Sequence, residues 1–387
     1  MKIGIFIDRL NVGGVEKIAI EEVRALISQG QDAHLVVMRE KAVVENAFPD
    51  LLEGIPIEYL DKRFNPILRM SFGFPFFHFF STFHLSYPLL LPFVVKKNEY
   101  DYLIVHGTYT TLAAIALKKR RGIPFSAFIW DPVSYIMQRV YSTTMPKLAY
   151  RLFYALSLHF DHYIINNMNS VMVGGPAHNS FIRSQRKGVD IATIYPSVNP
   201  AAHIPAKEAY VLVVTAWKEG KNPEYLVDII KAIPTIKIKM AGKWIDPNYK
   251  LRFEKLIKNE GCENNIEILG GVSEQDLSSL YRKARVLLQT NDDRGFGMPA
   301  LEAAAHGTTF VIPEGQGVCE LFENGVDGFY TKERDTATIA SHLNLLLKDK
   351  PLAARMGESA WNKVGSNYSW DFHAKALIDT AKKYSIQ

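Results

Sequence analysis

The sequence predicts an α/β chain built as two doubly wound, Rossmann-like domains facing a cleft, and three observations carry that prediction. Short apolar runs alternate with amphipathic helical stretches in both halves, the pattern of βαβ units around a parallel sheet. The chain has 387 residues, more than one hydrophobic core usually organises. A proline-punctuated segment, Pro196 through Pro200 to Pro205, reads as the linker between the halves. The expected divisions are an N-terminal domain over 1–197, a C-terminal domain over 206–366 and a terminal helical segment over 367–387.

Composition narrows the class. Hydrophobic residues make up 48% and charged residues 22%, as in folded soluble proteins. The net charge of +5 permits attraction to phosphate or anionic lipid, and no dense basic run argues for nucleic acid. Cys262 and Cys319 stand far apart with no partners at metal spacing, which suits a reducing, cytoplasmic compartment. The first residues read as a strand, not as a secretory leader.

In the first half, Ile3–Ile7 is an apolar run typical of a buried parallel strand. The loop Asp8–Gly14 carries Gly13-Gly14, a pair that permits close approach of a ligand and equally makes a plain tight turn. Val15, Ile18, Ala19, Val23, Leu26 and Ile27 recur at helical spacing, with Glu22 the exception on that stripe, and Gly30 closes the helix. Ala33–Met38 is the next strand. Phe64–Val95 is unusual: it holds one formal charge, Arg69, and nine of the chain's 22 phenylalanines. Prolines 66, 75, 88 and 92 keep it from being a membrane span. Phe76, Phe79, Phe80, Phe83 and Tyr87 fall on one face of a helix between Pro75 and Pro88. That face suits either a membrane interface or lipid-acceptor groove, or an aromatic core or dimer contact. Tyr102–His106 and Phe125–Trp130 are further strands joined by a helix at Thr110–Arg121, and Tyr163–Asn167 and Val171–Val173 continue the domain. Loops after parallel strands face the ligand crevice, so His106 and Asp131 are candidates for polar work or for structural capping.

In the second half, the strand Tyr210–Thr215 leads into Ala216-Trp-Lys-Glu-Gly-Lys221-Asn-Pro223. A helix at Glu224–Ala232, a strand at Ile236–Ala241, a strand at Asn265–Leu269 and a helix starting at Ser273 follow. After the strand Arg285–Thr290 comes Gly295-Phe296-Gly297-Met298-Pro299-Ala300-Leu301-Glu302, running to Gly307 before the strand at Thr308–Ile312. This is strand, glycine-rich turn and helix. The turn leaves bare N–H groups at a helix N-terminus, which accepts phosphate readily. Pro299 suits the first helical turn, and Glu302 lies about one turn further in. Two more helices, near Thr336–Leu347 and Trp370–Tyr384, complete the chain.

Taken together these features resemble a GT-B glycosyltransferase, and more closely the retaining glycosyltransferases of family 4, over nearly the whole length. Gly13-Gly14-Val15-Glu16 is similar to the family's first-domain loop, which approaches the donor diphosphate. Lys221, in Gly-Lys-Asn-Pro, matches its phosphate-binding lysine. Gly295 through Glu302 match the end of its Glu–seven residues–Glu motif, in which the last Glu, here Glu302, holds the nucleotide ribose. Tyr368-Ser-Trp370 resembles the segment before a terminal helix that crosses back to the first domain. The resemblance implies an acceptor-side first domain and a donor-binding second domain whose donor contacts are Gly13, Gly14, Lys218, Lys221, Gly295, Phe296, Gly297, Met298, Pro299 and Glu302.

Three positions depart from that pattern. The motif's first Glu falls on Arg294, beside Asp293, which a one-residue shift would bring into its place. The family's arginine falls on Ala216, with Lys218 nearby, and its strand-end histidine falls on Trp130, beside Asp131. Asp131, Asp293 and Arg294 are therefore the catalytic candidates. Leaving-phosphate stabilisation would come from Lys221, Lys218 or Arg294 and from the glycine-turn N–H groups. The resemblance implies metal-independent, front-face chemistry with a nucleotide-diphosphate sugar as donor substrate and no separate cofactor. The expectation is a cytoplasmic enzyme, peripheral on the inner face of the membrane through Phe76–Tyr87. It would use a lipid-linked or membrane-proximal glycan acceptor in envelope polysaccharide or glycan assembly. The alternatives are a catalytically altered GT-B subunit that binds a glycan or protein partner, and a GT-B sugar-nucleotide epimerase.

Overall fold

The computed structural model describes residues 1–10, 14–39, 52–64, 73–74, 77–130, 132–174, 182–184, 187–218, 220–290 and 295–385. The chain divides into two compact units, Met1–Pro196 with Trp370–Gln387, and Ser197–Ser369.

The first unit holds β1 (Lys2–Ile7), β2 (Asp32–Val37), β3 (Ile57–Tyr59), a small hairpin of β4 (Gly73–Phe74) and β5 (Phe77–Ser81), then β6 (Tyr102–His106), β7 (Phe125–Phe128), β8 (Ser170–Val173) and β9 (Ile191–Thr193). Seven of these make one sheet in the order β3-β2-β1-β6-β7-β8-β9, with every neighbouring pair parallel. The central strands are buried on both faces, as their unbroken apolar runs require. The helices of this unit are α1 (Gly14–Ser28), α2 (Thr82–Val94), α3 (Thr108–Arg121) and α4 (Lys147–Asn167). Helix α3 ends where Gly122 adopts a left-handed conformation and its N–H returns to the Lys118 carbonyl, with four cations in the last turn to oppose the dipole.

One expectation is corrected here. Phe76–Tyr87 is not one helix: β5 takes Phe77–Ser81, and helix α2 begins only at Thr82 and carries Pro88 and Pro92 within it. Aromatic runs suit strands as well as helices, and a short window satisfies either period. Tyr87, placed on a face that suited either a membrane contact or an aromatic core, is buried. Its hydroxyl donates to the Met38 carbonyl at 2.8 Å and its ring meets Phe64 edge-on. Tyr163–Asn167, read only as continuing the domain, is the last part of the 21-residue helix α4.

The second unit holds β10 (Val211–Val214), β11 (Ile238–Ala241), β12 (Ile266–Gly270), β13 (Val286–Leu288), β14 (Thr309–Pro313) and β15 (Phe329–Thr331). They form a wholly parallel sheet in the order β12-β11-β10-β13-β14-β15, the doubly wound order in which direction reverses beside the first strand. Its helices are α5 (Tyr225–Ala232), α6 (Pro247–Asn259), α7 (Glu274–Lys283), α8 (Met298–Ala305), α9 (Thr336–Lys348) and α10 (Lys350–Asn367). Side chains of Asp246, Ser273, Asp335 and Asp349 cap four of them by accepting from backbone N–H groups of the first turn.

Helix α11 (Trp370–Ser385) returns to the first unit and packs on α1. Trp370, Ala374, Leu377 and Ile378 share a core with Ile18, Ala19 and Val23. Glu22, the polar exception on the α1 stripe, lies at that junction. His106 Nε2 meets one of its carboxylate oxygens at 2.7 Å and His373 Nε2 the other at 2.8 Å, all three side chains being buried. His373 Nδ1 faces the Tyr195 carbonyl at 2.8 Å. His373 thus bridges the Glu22 carboxylate and the Tyr195 carbonyl. Burial alone would raise the Glu22 pKa, but the charge and hydrogen bonds of His106 and His373 outweigh it and lower it from 4.5 to about 2. A carboxyl depressed on folding adds stability that is present above pH 4.5 and lost as pH falls towards about 2. Glu22→Gln is therefore expected to cost roughly 3–5 kcal/mol at pH 7, because it removes the carboxylate from a buried network with two histidines. Urea unfolding followed by tryptophan fluorescence would show this, together with a flatter pH dependence below 4.5 than the wild type has.

Candidate functional site

In open α/β sheets ligands settle outside the carboxyl ends of the strands where the order reverses. In the second unit those strands are β10 and β13. The loop after β10 is pinned by Trp217, which is fully buried, stacks on Trp244 at 5.4 Å and donates its backbone N–H to the Lys243 carbonyl at 2.9 Å. Beyond that anchor Ala216 and Lys218 are exposed and Lys221 is half-buried. The loop after β13 holds Lys221 in place: the Thr290 hydroxyl donates to the Lys221 carbonyl at 2.7 Å. The Asn222 amide reaches the Thr290 carbonyl at 3.5 Å.

The glycine-rich turn is held by the segment after β14. Gly317 N–H donates to the Gly295 carbonyl at 3.2 Å, and Val318 N–H to the Phe296 carbonyl at 2.7 Å. Gly297 sits in the left-handed region at φ +90° and stands as N-cap of α8, with Pro299 in the first turn and no described side chain capping it. A Cβ at Gly297 would lie 2.6 Å from Gln316 Oε1 and 2.7 Å from Val318 Cγ1, so glycine is required for space as well as for φ. Gly295 is exposed and Phe296 and Met298 are half-buried. Glu302, one turn into α8, is half-buried, and Tyr281 donates its hydroxyl to Glu302 Oε2 at 2.7 Å. Burial and the neighbouring Glu302 charge hold the Tyr281 hydroxyl well above its ordinary pKa, so it remains the donor. His306 Nδ1 donates to the Glu302 carbonyl at 2.7 Å and Nε2 accepts from Ser278 at 2.9 Å; burial lowers its pKa, which suits this neutral tautomer. The second unit thus joins a lysine, an uncapped helix N-terminus and a fixed carboxylate, a set able to receive an anion and hydroxyl groups.

In the first unit the order reverses between β1 and β6. Gly14 opens α1, is exposed, and an added Cβ there would meet nothing within 4 Å. His106 does not face a ligand: its ring turns inward to Glu22, and Trp130 Nε1 donates to His106 Nδ1 at 3.3 Å. His106, Phe128 and Trp130 stack in sequence. Asp161 supports the turn after Trp130 by accepting from Val133 N–H and Ser134 N–H, each at 2.9 Å. Gly13, Asp131, Asp293 and Arg294 lie outside the described residues. Thr290, Tyr281, Asp161 and Gln316 carried no signal in the sequence, since their roles depend on partners distant along the chain. Among the described residues no group of three or more His, Cys, Asp or Glu could hold a metal ion.

Two parallel, Rossmann-like units of this kind make a GT-B-type architecture. Residues 12–169 match the model for Glycosyltransferase Family 4 and residues 198–363 that for Glycosyl transferases group 1, so that both units resemble GT-B glycosyltransferases. An uncharacterized glycosyltransferase of Methanocaldococcus jannaschii is 29% identical over 181 residues, 45% of either chain. A D-inositol 3-phosphate glycosyltransferase of Corynebacterium kroppenstedtii is 31% identical over 127 residues, 33% of this chain and 28% of that one. The chain spans about half the length, or less, of the curated relatives it matches. HepE of Anabaena, solved with UDP, has a TM-score of 0.76 at 17% identity, covering 99% of this chain and 100% of that one. Sucrose-phosphate synthase of Thermosynechococcus elongatus also has a TM-score of 0.76 at 17% identity, covering 99% and 98%. At that identity the likeness is one of fold.

Replacing Gly297 tests how tightly the turn is built. Gly297→Ala is expected to lower stability by about 2 kcal/mol, from the left-handed backbone and the forced movement of Gln316 and Val318. Denaturant titration measures it, and a neutral result would mean the turn relaxes without cost.

Proposed function

We propose that the chain is a retaining glycosyltransferase that moves a sugar from a nucleotide-diphosphate sugar to a lipid-linked or membrane-proximal glycan acceptor, in envelope polysaccharide or glycan assembly. The observations that carry this reading are the tie between the loops after β10 and β13 through Thr290 and Lys221 and the N-terminus of α8, which no described side chain caps. In this reading the second unit binds the donor and the first serves the acceptor. Lys221 and Lys218 face the diphosphate, backbone N–H groups of Gly297–Ala300 complete the anion site, and Glu302 accepts from the ribose hydroxyls. Gly13-Gly14 are the donor contacts proposed for the first unit. Gly14 fits that role because nothing within the described structure needs a glycine there. The complex of HepE with UDP and glucose supports a nucleotide donor by analogy of fold.

The step proposed breaks the bond between the anomeric carbon and the diphosphate oxygen and forms one from that carbon to the acceptor oxygen on the same face. The acceptor's proton passes to the departing phosphate, whose new charge Lys221, Arg294 and the helix N-terminus stabilise. Asp293 takes the sugar-contacting place of the missing glutamate, and Asp131 lies in the acceptor-side loop. No metal takes part in the proposed step.

Lys221→Ala is expected to weaken UDP, GDP or ADP binding about tenfold or more by calorimetry. Asp293→Asn should cut turnover about a hundredfold while nucleotide affinity stays near wild type. If none of the three nucleotides binds the wild type, the altered, partner-binding GT-B subunit becomes the better reading.

We also propose a cytoplasmic location on the inner face of the membrane, with contact made by the first unit. The support comes from α2 and α4 and not from a helix over Phe76–Tyr87. On α2, Leu89 and Phe93 are 67% and 71% exposed. On α4, Leu148, Leu152 and Leu156 are exposed at four-residue spacing, beside exposed Lys147 and Arg151. Helix α3 adds cations there: Arg120 lies 6.0 Å from the Phe93 ring and Lys119 3.2 Å from the Tyr163 hydroxyl. Apolar side chains among cations fit an anionic lipid surface, and no helix among the described residues is long and apolar enough to cross a membrane. Leu152→Glu should reduce flotation with phosphatidylglycerol vesicles several-fold and leave Tm unchanged; equal flotation would remove α4 from the contact.

A further inference from the structure

Among the described residues of the second unit, Gln316 is a buried side chain with both polar atoms of its amide unpartnered. It is 3% exposed, and neither its Nε2 nor its Oε1 has a hydrogen-bond partner. A primary amide offers two donors and two acceptor sites, and a desolvated amide with none of them met costs stability. Its place is fixed by backbone. Gly317 and Val318 donate to the carbonyls of Gly295 and Phe296, and Cys319 N–H returns to the Gln316 carbonyl at 3.0 Å. The side-chain amide consequently lies against Gly297, the N-cap of α8, at a distance that a Cβ on Gly297 would reduce to 2.6 Å. Helix α8 begins there without a described side-chain cap.

We propose that Gln316 is a donor-binding residue whose Nε2 hydrogen-bonds the diphosphate of the nucleotide sugar at the N-terminus of α8. The inference rests on the donor site proposed above and adds to it a contact from a different segment, the turn after β14. The chemistry favours an anion with several acceptor oxygens. The helix end supplies partial positive charge, and the amide supplies a directed donor that needs no counter-ion. Whichever way the amide is turned, a diphosphate oxygen or a hydroxyl of the attached sugar would satisfy it.

Gln316→Met keeps length and volume and removes both polar atoms. In the ligand-free protein it is expected to raise Tm by about 2–4 °C, because an unmet buried amide is gone. In calorimetric titrations with pyrophosphate, UDP, GDP and ADP it is expected to weaken binding about tenfold, while Gln316→Glu abolishes binding of all four by charge repulsion. A fall in the Tm of ligand-free Gln316→Met would mean that the amide is structural, and would overturn the proposal. Undiminished affinity of Gln316→Met would overturn it too, and would leave the donor site standing provided Lys221→Ala still loses binding. If the wild type binds none of the four ligands, the donor-site reading fails and this contact fails with it.

Discussion

A carboxylate held between two imidazoles is the interaction on which the first unit depends. Glu22 comes from α1, His106 from the end of β6 and His373 from α11, so one buried group joins the first helix, the central sheet and the last helix. A charge there is tolerable only because each of its oxygens meets a histidine nitrogen in a buried hydrogen-bonded network. The same cluster reaches the strand-end loop, since His106 receives the Trp130 indole N–H and stacks with Phe128. The loop that presents Trp130 is thereby fixed from beneath by a helix that enters the sequence only at residue 370.

The second unit uses hydrogen bonds between loops for the same purpose. Thr290, at the end of β13, holds the carbonyl of Lys221, and the turn after β14 holds the carbonyls of Gly295 and Phe296. Trp217 anchors the first of these loops in the core. Lys218 and Lys221 therefore stand on backbone held by other elements, which the proposed donor site requires if it is to meet a charged ligand without large reordering cost. Tyr281 does the same for Glu302, since a phenol that keeps its proton can orient a carboxylate at any physiological pH.

Much of this architecture could be read from residues in order. Apolar runs marked ten of the thirteen strands in the two sheets, missing the three-residue β3, β9 and β15, and Gly297 and Pro299 marked the start of α8. The aromatic stretch failed because its local pattern is degenerate. The aromatic run before Tyr87 satisfies a two-residue and a 3.6-residue period alike, and the pairing of β4 with β5 settled it as a hairpin. Tyr163–Asn167 is too short an apolar run to separate a strand from the end of a long helix. Glu22 was visible as an anomaly on an apolar stripe, but nothing near it in sequence could say why a carboxylate belonged there.

By itself the sequence determined the alternation of strand and helix, the division into two doubly wound halves and the placement of glycine, proline and glutamate around α8. Those features follow from side-chain periodicity and from backbone preferences that act over a few residues. Tertiary structure alone decided that His106 turns inward instead of toward a ligand, that Thr290 fixes Lys221, and that Gln316 lies unpartnered against Gly297. Each depends on atoms brought together across the chain, 84 residues for Glu22 and His106 and 351 for Glu22 and His373. Hydrogen bonds at such separations are set by sheet register and helix packing, which no local pattern of residues encodes.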